Sequence, residues 1–352
     1  MTATTAAAGP PLDALAAWLR QHVRQFDGAL QVTPLTGGQS NPTYRVNAGP
    51  HRWVLRRKPA GALLASAHAI EREYRVMQAL AGTDVPVPAM HALCEDPGVI
   101  GSPFYLMDFI EGRVFADPAL PGLSHAERGA VYDAMNSVIA ALHRVDPQAI
   151  GLADYGRPAN YLPRQIARWT RQYRASQSAD ENERSEAMER LIDWLPAHCP
   201  PAAVGDEAAL VHGDFRIDNL VFHPTEPQVL AVLDWELSTL GHPLVDLAYH
   251  VMAWRVTPTE FRGLMGHDLA ALGIPLEADY GAAYCRRTGR TALPHWDYHL
   301  AFNMFRMAAI LQGILARARQ GSAASADAER IGGQARLMAE AGWRQVQQML
   351  AA

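Results

Sequence analysis

Apolar residues recur along this chain with two different periods, and the change from one to the other organises it. Leu12, Leu15, Leu19, Val23 and Phe26 fall every three or four residues and predict an amphipathic helix over 12–26. Short strand-like runs follow at 31–35, 43–47 and 52–57, with a Gly-Gly loop between the first two. Helical spacing returns over 67–81, with Ile70, Tyr74, Met77 and Leu80 on the core side, before two more strands at 90–95 and 104–109. Strands, helix and strands again predict a small sheet that carries one or two helices.

Beyond Glu111-Gly112 the helical period dominates. Ser124 and Glu127 form an S-x-x-E capping box that opens a long helix through residue 143. Further helices are predicted over 160–175, 185–197, 246–255, 259–272, 277–288, 296–318 and 327–350, and only 210–234 interrupts them with short β-like stretches. The prediction is an α+β protein with a β-rich domain over 1–110 and a larger, mainly helical domain over 111–352. No internal repeat is visible.

Composition narrows the function classes. The 352 residues carry 31 basic and 36 acidic side chains, a formal net charge of −5, with 49% hydrophobic and 19% charged positions. That is a folded chain long enough for two cores, and its mild acidity argues against a nucleic-acid-coating protein. The most apolar stretch, 301–316, is interrupted by Asn303, Arg306 and Gln312, so no membrane span is expected. The first eleven residues lack the apolar core of a signal peptide. Three widely spaced cysteines, Cys94, Cys199 and Cys285, fit neither a disulfide framework nor a zinc site and point to the cytoplasm.

The chemistry concentrates in one acidic stretch. Leu210-Val-His-Gly-Asp-Phe-Arg-Ile-Asp-Asn precedes an apolar run at Leu220–Phe222, and a second run at 229–233 leads into Asp234-Trp-Glu. The turn-rich His223-Pro-Thr-Glu-Pro between the runs predicts a hairpin, and pairing about its midpoint sets Asn219 opposite Asp234. An amide oxygen and a carboxylate at one hairpin end suit Mg²⁺, which takes one or two protein ligands and completes its shell with water and phosphate. Asp214, five residues before Asn219, could reach the same place as a base toward a hydroxyl. Singly, each of these residues is an ordinary turn cap or strand end; jointly they are specific.

The His-Gly-Asp-x-x-x-x-Asn run with its downstream Asp-Trp-Glu resembles the catalytic centre of the aminoglycoside phosphotransferase and choline kinase superfamily. The resemblance implies a protein-kinase-like, two-lobed fold with ATP between the lobes. It implies that Asp214 receives the acceptor's hydroxyl proton, that Asn219 and Asp234 hold Mg²⁺, and that His212 and Asp246 brace the catalytic loop.

The nucleotide side is expected in the first domain. Gly37-Gly-Gln-Ser-Asn offers Ser40 and Asn41 to phosphate, although the same residues are also ordinary hairpin chemistry. In Trp53-Val-Leu-Arg-Arg-Lys, Val54 and Arg56 share a face, which puts Arg56 where kinases of the V-A-I-K pattern carry lysine; Lys58 is a second candidate. Glu73 falls beside the buried stripe of its helix, an odd place for an unpartnered carboxylate, and the resemblance makes it the partner of the strand cation. The resemblance also assigns adenine to backbone groups around Asp108 and Ile110.

Gly37-Gly-Gln-Ser-Asn-Pro-Thr-Tyr, Arg164-Gln-x-x-Arg-Trp and Asp234-Trp-Glu-Leu-Ser-Thr-Leu-Gly-His-Pro look like one branch, the phosphotransferase domains found fused to acyl-CoA dehydrogenases. That branch implies a hydroxyacyl-CoA or hydroxy acid as acceptor. A stripe of Arg164, Arg168, Arg171 and Arg174 could hold an anionic acceptor, or could be a solvated helix face. Gly241-His242-Pro243 departs from the common Gly-Asp-Pro, and Arg56 departs from lysine. An aminoglycoside or choline-type kinase, or a nucleotide-binding pseudokinase, are the alternatives. Oligomeric state is not encoded in any of these features.

Overall fold

The alternation read in the first third becomes a sheet because its two faces bury different things. In the computed structural model, residues 9–35, 41–59, 69–177, 184–201, 207–321 and 327–351 are described. Contacts divide the chain into a first unit, Met1–Ala81, Val87–Glu111 and Leu233–Glu236, and a second, Gly82–Pro86, Gly112–Val232 and Leu237–Ala352. The segment that carries Asp234 thus belongs to the first unit, although the residues on either side of it belong to the second.

The first unit contains α1 (Leu12–His22), β1 (Leu30–Pro34), β2 (Thr43–Ala48), β3 (His51–Arg57), α2 (Ile70–Leu80), β4 (Met90–Cys94) and β5 (Phe104–Asp108). The strands form an antiparallel sheet in the order β1-β2-β3-β5-β4. Tyr44, Val46, Trp53, Leu55, Phe104 and Leu106 share one face and form a core with Leu15 and Leu19 of α1. Helix α1 stops four residues short of the predicted end because Val23 turns extended, while its side chain stays buried. On the opposite face Arg56 pairs in register with Tyr105, and α2 lies against β4 and β5. Residues 67 and 68 of the predicted helix lie outside the described residues.

The second unit contains α3 (His125–Arg144), α4 (Tyr161–Ser176), α5 (Glu186–Ala197), β6 (Ala209–Val211), β7 (Leu220–Phe222), β8 (Val229–Val232), β9 (Thr239–Gly241), α6 (Pro243–Val251), α7 (Pro258–Phe261), α8 (Leu269–Leu272), α9 (Glu277–Thr288), α10 (Trp296–Arg319), α11 (Ala328–Gly332) and α12 (Ala335–Ala351). The capping box forms as read: the Ser124 hydroxyl accepts from Glu127 N–H, and the Glu127 carboxylate accepts from Ser124 N–H. Helix α10 is the central element, packing against α4, α6, α11 and α12. It is long and apolar enough to cross a membrane by length and composition, but 72% of its most apolar window is buried inside the protein.

Four further predicted elements differ. The helix expected over 246–255 starts earlier, at Pro243, because proline suits the first helical position and His242 caps it with Nδ1 on Leu244 N–H. Residues 252–255 continue it as a 3-10 turn. The helix expected over 259–272 is split, since Gly266 takes φ +97° and a side chain on Gly263 would meet the Val256 carbonyl oxygen at 1.8 Å. The helix expected over 327–350 breaks at Gly332-Gly333. Midpoint pairing of the hairpin also fails: Leu220 faces Val232, Val221 faces Ala231, and after a bulge Phe222 faces Val229. Asn219 therefore lies outside the ladder in a 3-10 turn, and Asp234 lies beyond the other strand. Strand β9, paired with β6, was not expected at all.

Candidate active site

In the second unit the loop after β6 is built around two aspartates with opposite tasks, the buried Asp246 and the half-buried Asp214. Asp246, on α6, accepts the backbone N–H of His212 on Oδ2 at 2.8 Å and that of Gly213 on Oδ1 at 2.7 Å. His143 of α3 meets Asp246 Oδ2 through Nε2 at 3.1 Å, and its Nδ1 meets the Tyr284 hydroxyl at 2.7 Å. Burial pushes the Asp246 carboxyl up, but His143, His212 and the hydrogen bonds outweigh it and hold the group below the usual carboxylate range. His212 contributes its backbone to this brace, while its Nδ1 accepts the Asp214 N–H at 3.1 Å. Gly213 has φ +81°, and a Cβ there would meet Leu237 O at 2.6 Å, so only glycine fits. Arg306, buried on α10 between the Trp169 and Tyr249 rings, donates to the Gly213 carbonyl.

These constraints present Asp214 in a fixed pose. Its Oδ1 accepts the Tyr249 hydroxyl and faces Arg216 Nε at 3.2 Å; its Oδ2 accepts Asn219 Nδ2 at 3.0 Å. Asn219 Nδ2 also donates to the Asp214 carbonyl at 2.8 Å. With its nitrogen committed, Asn219 has its amide oxygen Oδ1 left, and no described residue occupies it. Asp218 is held by Arg216 at 3.3 Å and by Arg262.

In the first unit the sheet face under α2 carries a second cluster. Arg56 lies 3.1 Å from Glu73 Oε2 through Nε and donates from Nη2 to Asp234 Oδ1 at 2.8 Å, with Glu236 at 3.7 Å. Glu73 is 1% exposed and also accepts from Tyr105 Oη and from Asn41 Nδ2, each at 3.0 Å. Burial pushes the Glu73 carboxyl up to about 7, against the pull of Arg56 and the two neutral donors. Removing one partner of such a pair costs about 3–5 kcal/mol, because the other charge stays buried. Asp234 holds φ +67°, in the left-handed region that non-glycine residues enter mainly at functional or strained positions. Its Oδ1 is taken by Arg56, and its Oδ2 has no partner among the described residues.

The remaining expected site residues scatter. Ser40 lies outside the described residues. Asn41 serves Glu73 with its nitrogen. Lys58 pairs with Glu71 at 3.0 Å, away from the Arg56 cluster. Asp108 accepts from His91 at 2.6 Å, and its backbone N–H is used by Ala89 O; Ile110 makes no backbone hydrogen bond among the described residues. On α4, Arg164 turns back onto the Ala159 and Arg157 carbonyls, and Arg174 pairs with Glu189. Arg168 stacks on Trp169, and neither it nor Arg171 forms an ion pair among the described residues. Sequence reasoning passed over His143, Tyr249, Arg306 and Tyr105; only Arg306 gave a signal, as a charge inside an apolar run.

Each cluster by itself leaves an oxygen of the kind magnesium takes without a partner among the described residues: the Asn219 amide oxygen in the second unit and an Asp234 carboxylate oxygen in the first. No group of three or more His, Cys, Asp or Glu side chains that could hold a metal occurs among the described residues.

Comparison with known proteins agrees with this chemistry. The model of the phosphotransferase enzyme family matches residues 31–299. Acyl-CoA dehydrogenase family member 10 of Mus musculus is 47% identical over 337 residues, which cover 95% of this chain and 31% of that protein. The probable acyl-CoA dehydrogenase IBR3 of Arabidopsis thaliana is 43% identical over 311 residues, 85% of this chain and 38% of its own length. The chain thus spans about a third of the length of these relatives. A Ralstonia eutropha protein, provisionally named an aminoglycoside phosphotransferase, superposes with TM-score 0.86 at 56% identity, over 97% of this chain and 99% of its own. A mutant of the aminoglycoside phosphotransferase APH(4)-Ia, solved with ADP and hygromycin B, superposes with TM-score 0.59 at 17% identity, over 93% of this chain and 97% of its own, and shares the fold alone. With the family model covering most of its length, the chain belongs to the phosphotransferase enzyme family and has a protein-kinase-like α+β fold.

Proposed function

We propose that this protein is a cytoplasmic ATP-dependent kinase that transfers the γ-phosphoryl group to a hydroxyl of a small acceptor, in particular a hydroxyacyl-CoA or hydroxy acid. The observation that carries the reading is Asp214: a carboxylate held by Tyr249, Asn219 and Arg216 on a loop whose backbone is pinned by Asp246. A base so fixed meets a hydroxyl with little reorganisation, which is where phosphoryl transfer gains most of its rate. Arg56, oriented by Glu73, supplies positive charge for the nucleotide phosphates, with Asn41 buttressing Glu73. Adenine recognition falls to the backbone around Asp108 and Ile110, where the Ile110 N–H is the group not already used. Asn219 Oδ1 and Asp234 would hold Mg²⁺, which supplies charge neutralisation at the phosphates when bound.

The acceptor assignment has two supports. The curated relatives join a like segment to an acyl-CoA dehydrogenase name, and Arg168 and Arg171 present exposed cations that suit an anionic acceptor such as CoA. An amino-sugar acceptor would instead want carboxylates there. Free cysteines fit a reducing compartment. Asp214→Asn is expected to lower kcat at least a thousandfold while nucleotide affinity by calorimetry stays within about threefold. Turnover above one tenth of the parent, on a panel of kanamycin, choline and 4-hydroxyacyl-CoA, would remove Asp214 from its role.

A further inference from the structure

Beside Asp214, wholly within the second unit, the structure leaves a narrow cavity of about 50 Å³. Its walls come from separate segments: Met135 of α3, Ile217 of the catalytic loop, Tyr249 of α6, then Trp254 and Phe261 beyond it, all buried. Two wall residues, Tyr249 and Arg216, are the same side chains that hold Asp214 Oδ1. The cavity is therefore walled in part by the side chains that position the base. Its charged members cancel: Arg216 and Arg262 are both paired to Asp218, and Arg216 also faces Asp214. His250, which also faces it, shares Nε2 with the Tyr280 hydroxyl at 2.8 Å. Burial pushes this imidazole down to about 4, which leaves it neutral near pH 7. The space is carbon-walled and carries no charge left over for an anion or a polycation.

An unfilled apolar cavity is unfavourable to a folded chain, and one walled by the side chains that hold the base has a ready occupant in the substrate. We propose that this cavity receives a short aliphatic tail of the acceptor, attached to the carbinol carbon whose hydroxyl meets Asp214. The proposal rests on Asp214 being the base. At roughly 10–15 Å³ per water-sized group, the space takes about three to five such groups, so tails of about three to five carbons fill it and longer ones do not. Chain length, set by Met135, Trp254 and Phe261, is then a specificity determinant separate from whatever binds the anionic head.

The test uses the full chain with Mg·ATP and hydroxyacyl-CoA thioesters that share one head and carry one, three, five or seven carbons beyond the carbinol. Wild-type kcat/KM is expected to peak at three to five carbons. Ala253, in the turn after α6, lines the cavity, and Ala253→Leu is expected to lower the five-carbon to one-carbon ratio of kcat/KM at least tenfold. Met135→Ala is expected to move the optimum to a longer tail. Saturation-transfer NMR with 1-pentanol reads the cavity without turnover, and its signal should fade in Ala253→Leu. A wild type indifferent to tail length, no transfer to pentanol, or an optimum unmoved by Met135→Ala would overturn the proposal. Asp214→Asn separates the two readings: turnover retained in that variant defeats the assignment of the base. Turnover that depends on Asp214 but ignores tail length defeats only the cavity.

Discussion

Asp246 shows how a residue far from any reacting atom can decide a site. Two backbone N–H groups, from His212 and Gly213, point at its two oxygens. Asp246→Asn keeps the shape but turns an NH₂ toward one of those donors, which costs about 1–3 kcal/mol and loosens the loop. The expected outcome is a fall in kcat of a hundredfold or more with the nucleotide KM within about threefold, measured by steady-state assay beside a denaturation curve. A loss of stability with kcat unchanged would make Asp246 merely structural. At this scale the sequence was legible where spacing along one element was enough. The shared face of Val54 and Arg56 and the position of Glu73 beside a buried stripe were readable from spacing, and the resemblance supplied the pairing of the two charges. Tyr105 and Asn41 were not readable as partners of Glu73, because their approach depends on strand register and on a loop crossing between elements.

Elements were read best where they carry their own start signals and worst where a neighbour ends them. The Ser124 box fixed the start of α3, and Ser124→Ala is expected to cost about 1 kcal/mol without changing kcat, since only the orphan N–H groups of the first turn lose a partner. The break between α11 and α12 had no such local mark. A Cβ on Gly332 would meet Leu315 N at 2.5 Å, so α11 approaches the backbone of α10 more closely than any side chain allows. Gly332→Ala is expected to destabilise the protein by about 1–3 kcal/mol, although alanine favours helix in isolation. Thermal or urea unfolding checks both variants; a stabilised Gly332→Ala would show that helix propensity outweighs the close approach. The hairpin makes the same point: its register falls one residue short of midpoint pairing, which leaves Asn219 and Asp234 outside the ladder.

For the molecule as a whole, buried histidines set an acid limit on stability. His299 is buried with neither ring nitrogen hydrogen-bonded among the described residues. Burial, with His242 and His295 nearby, pushes it from 6.5 down to about 3. The folded chain keeps this ring neutral while the unfolded chain takes up a proton below about pH 6.5. The buried neutral ring therefore costs almost no stability at pH 8, and the penalty grows as pH falls below about 6.5 toward pH 3, reaching about 2 kcal/mol at pH 5. His299→Leu is expected to shrink the wild-type stability drop between pH 8 and pH 5 by about 2 kcal/mol in urea melts; an equal drop in both proteins would contradict the buried neutral ring. By itself the sequence determined the α+β character, most helices and strands, and the short acidic stretch that forms the candidate site, because periodicity, capping and turn residues act over a few neighbours. Tertiary structure alone decided the hairpin register, the left-handed Asp234 on the unit opposite to its chain neighbours, and the brace of His143, Asp246 and Arg306 around Gly213. The last two depend on groups 34 to 178 positions apart meeting through packing, which no local pattern records.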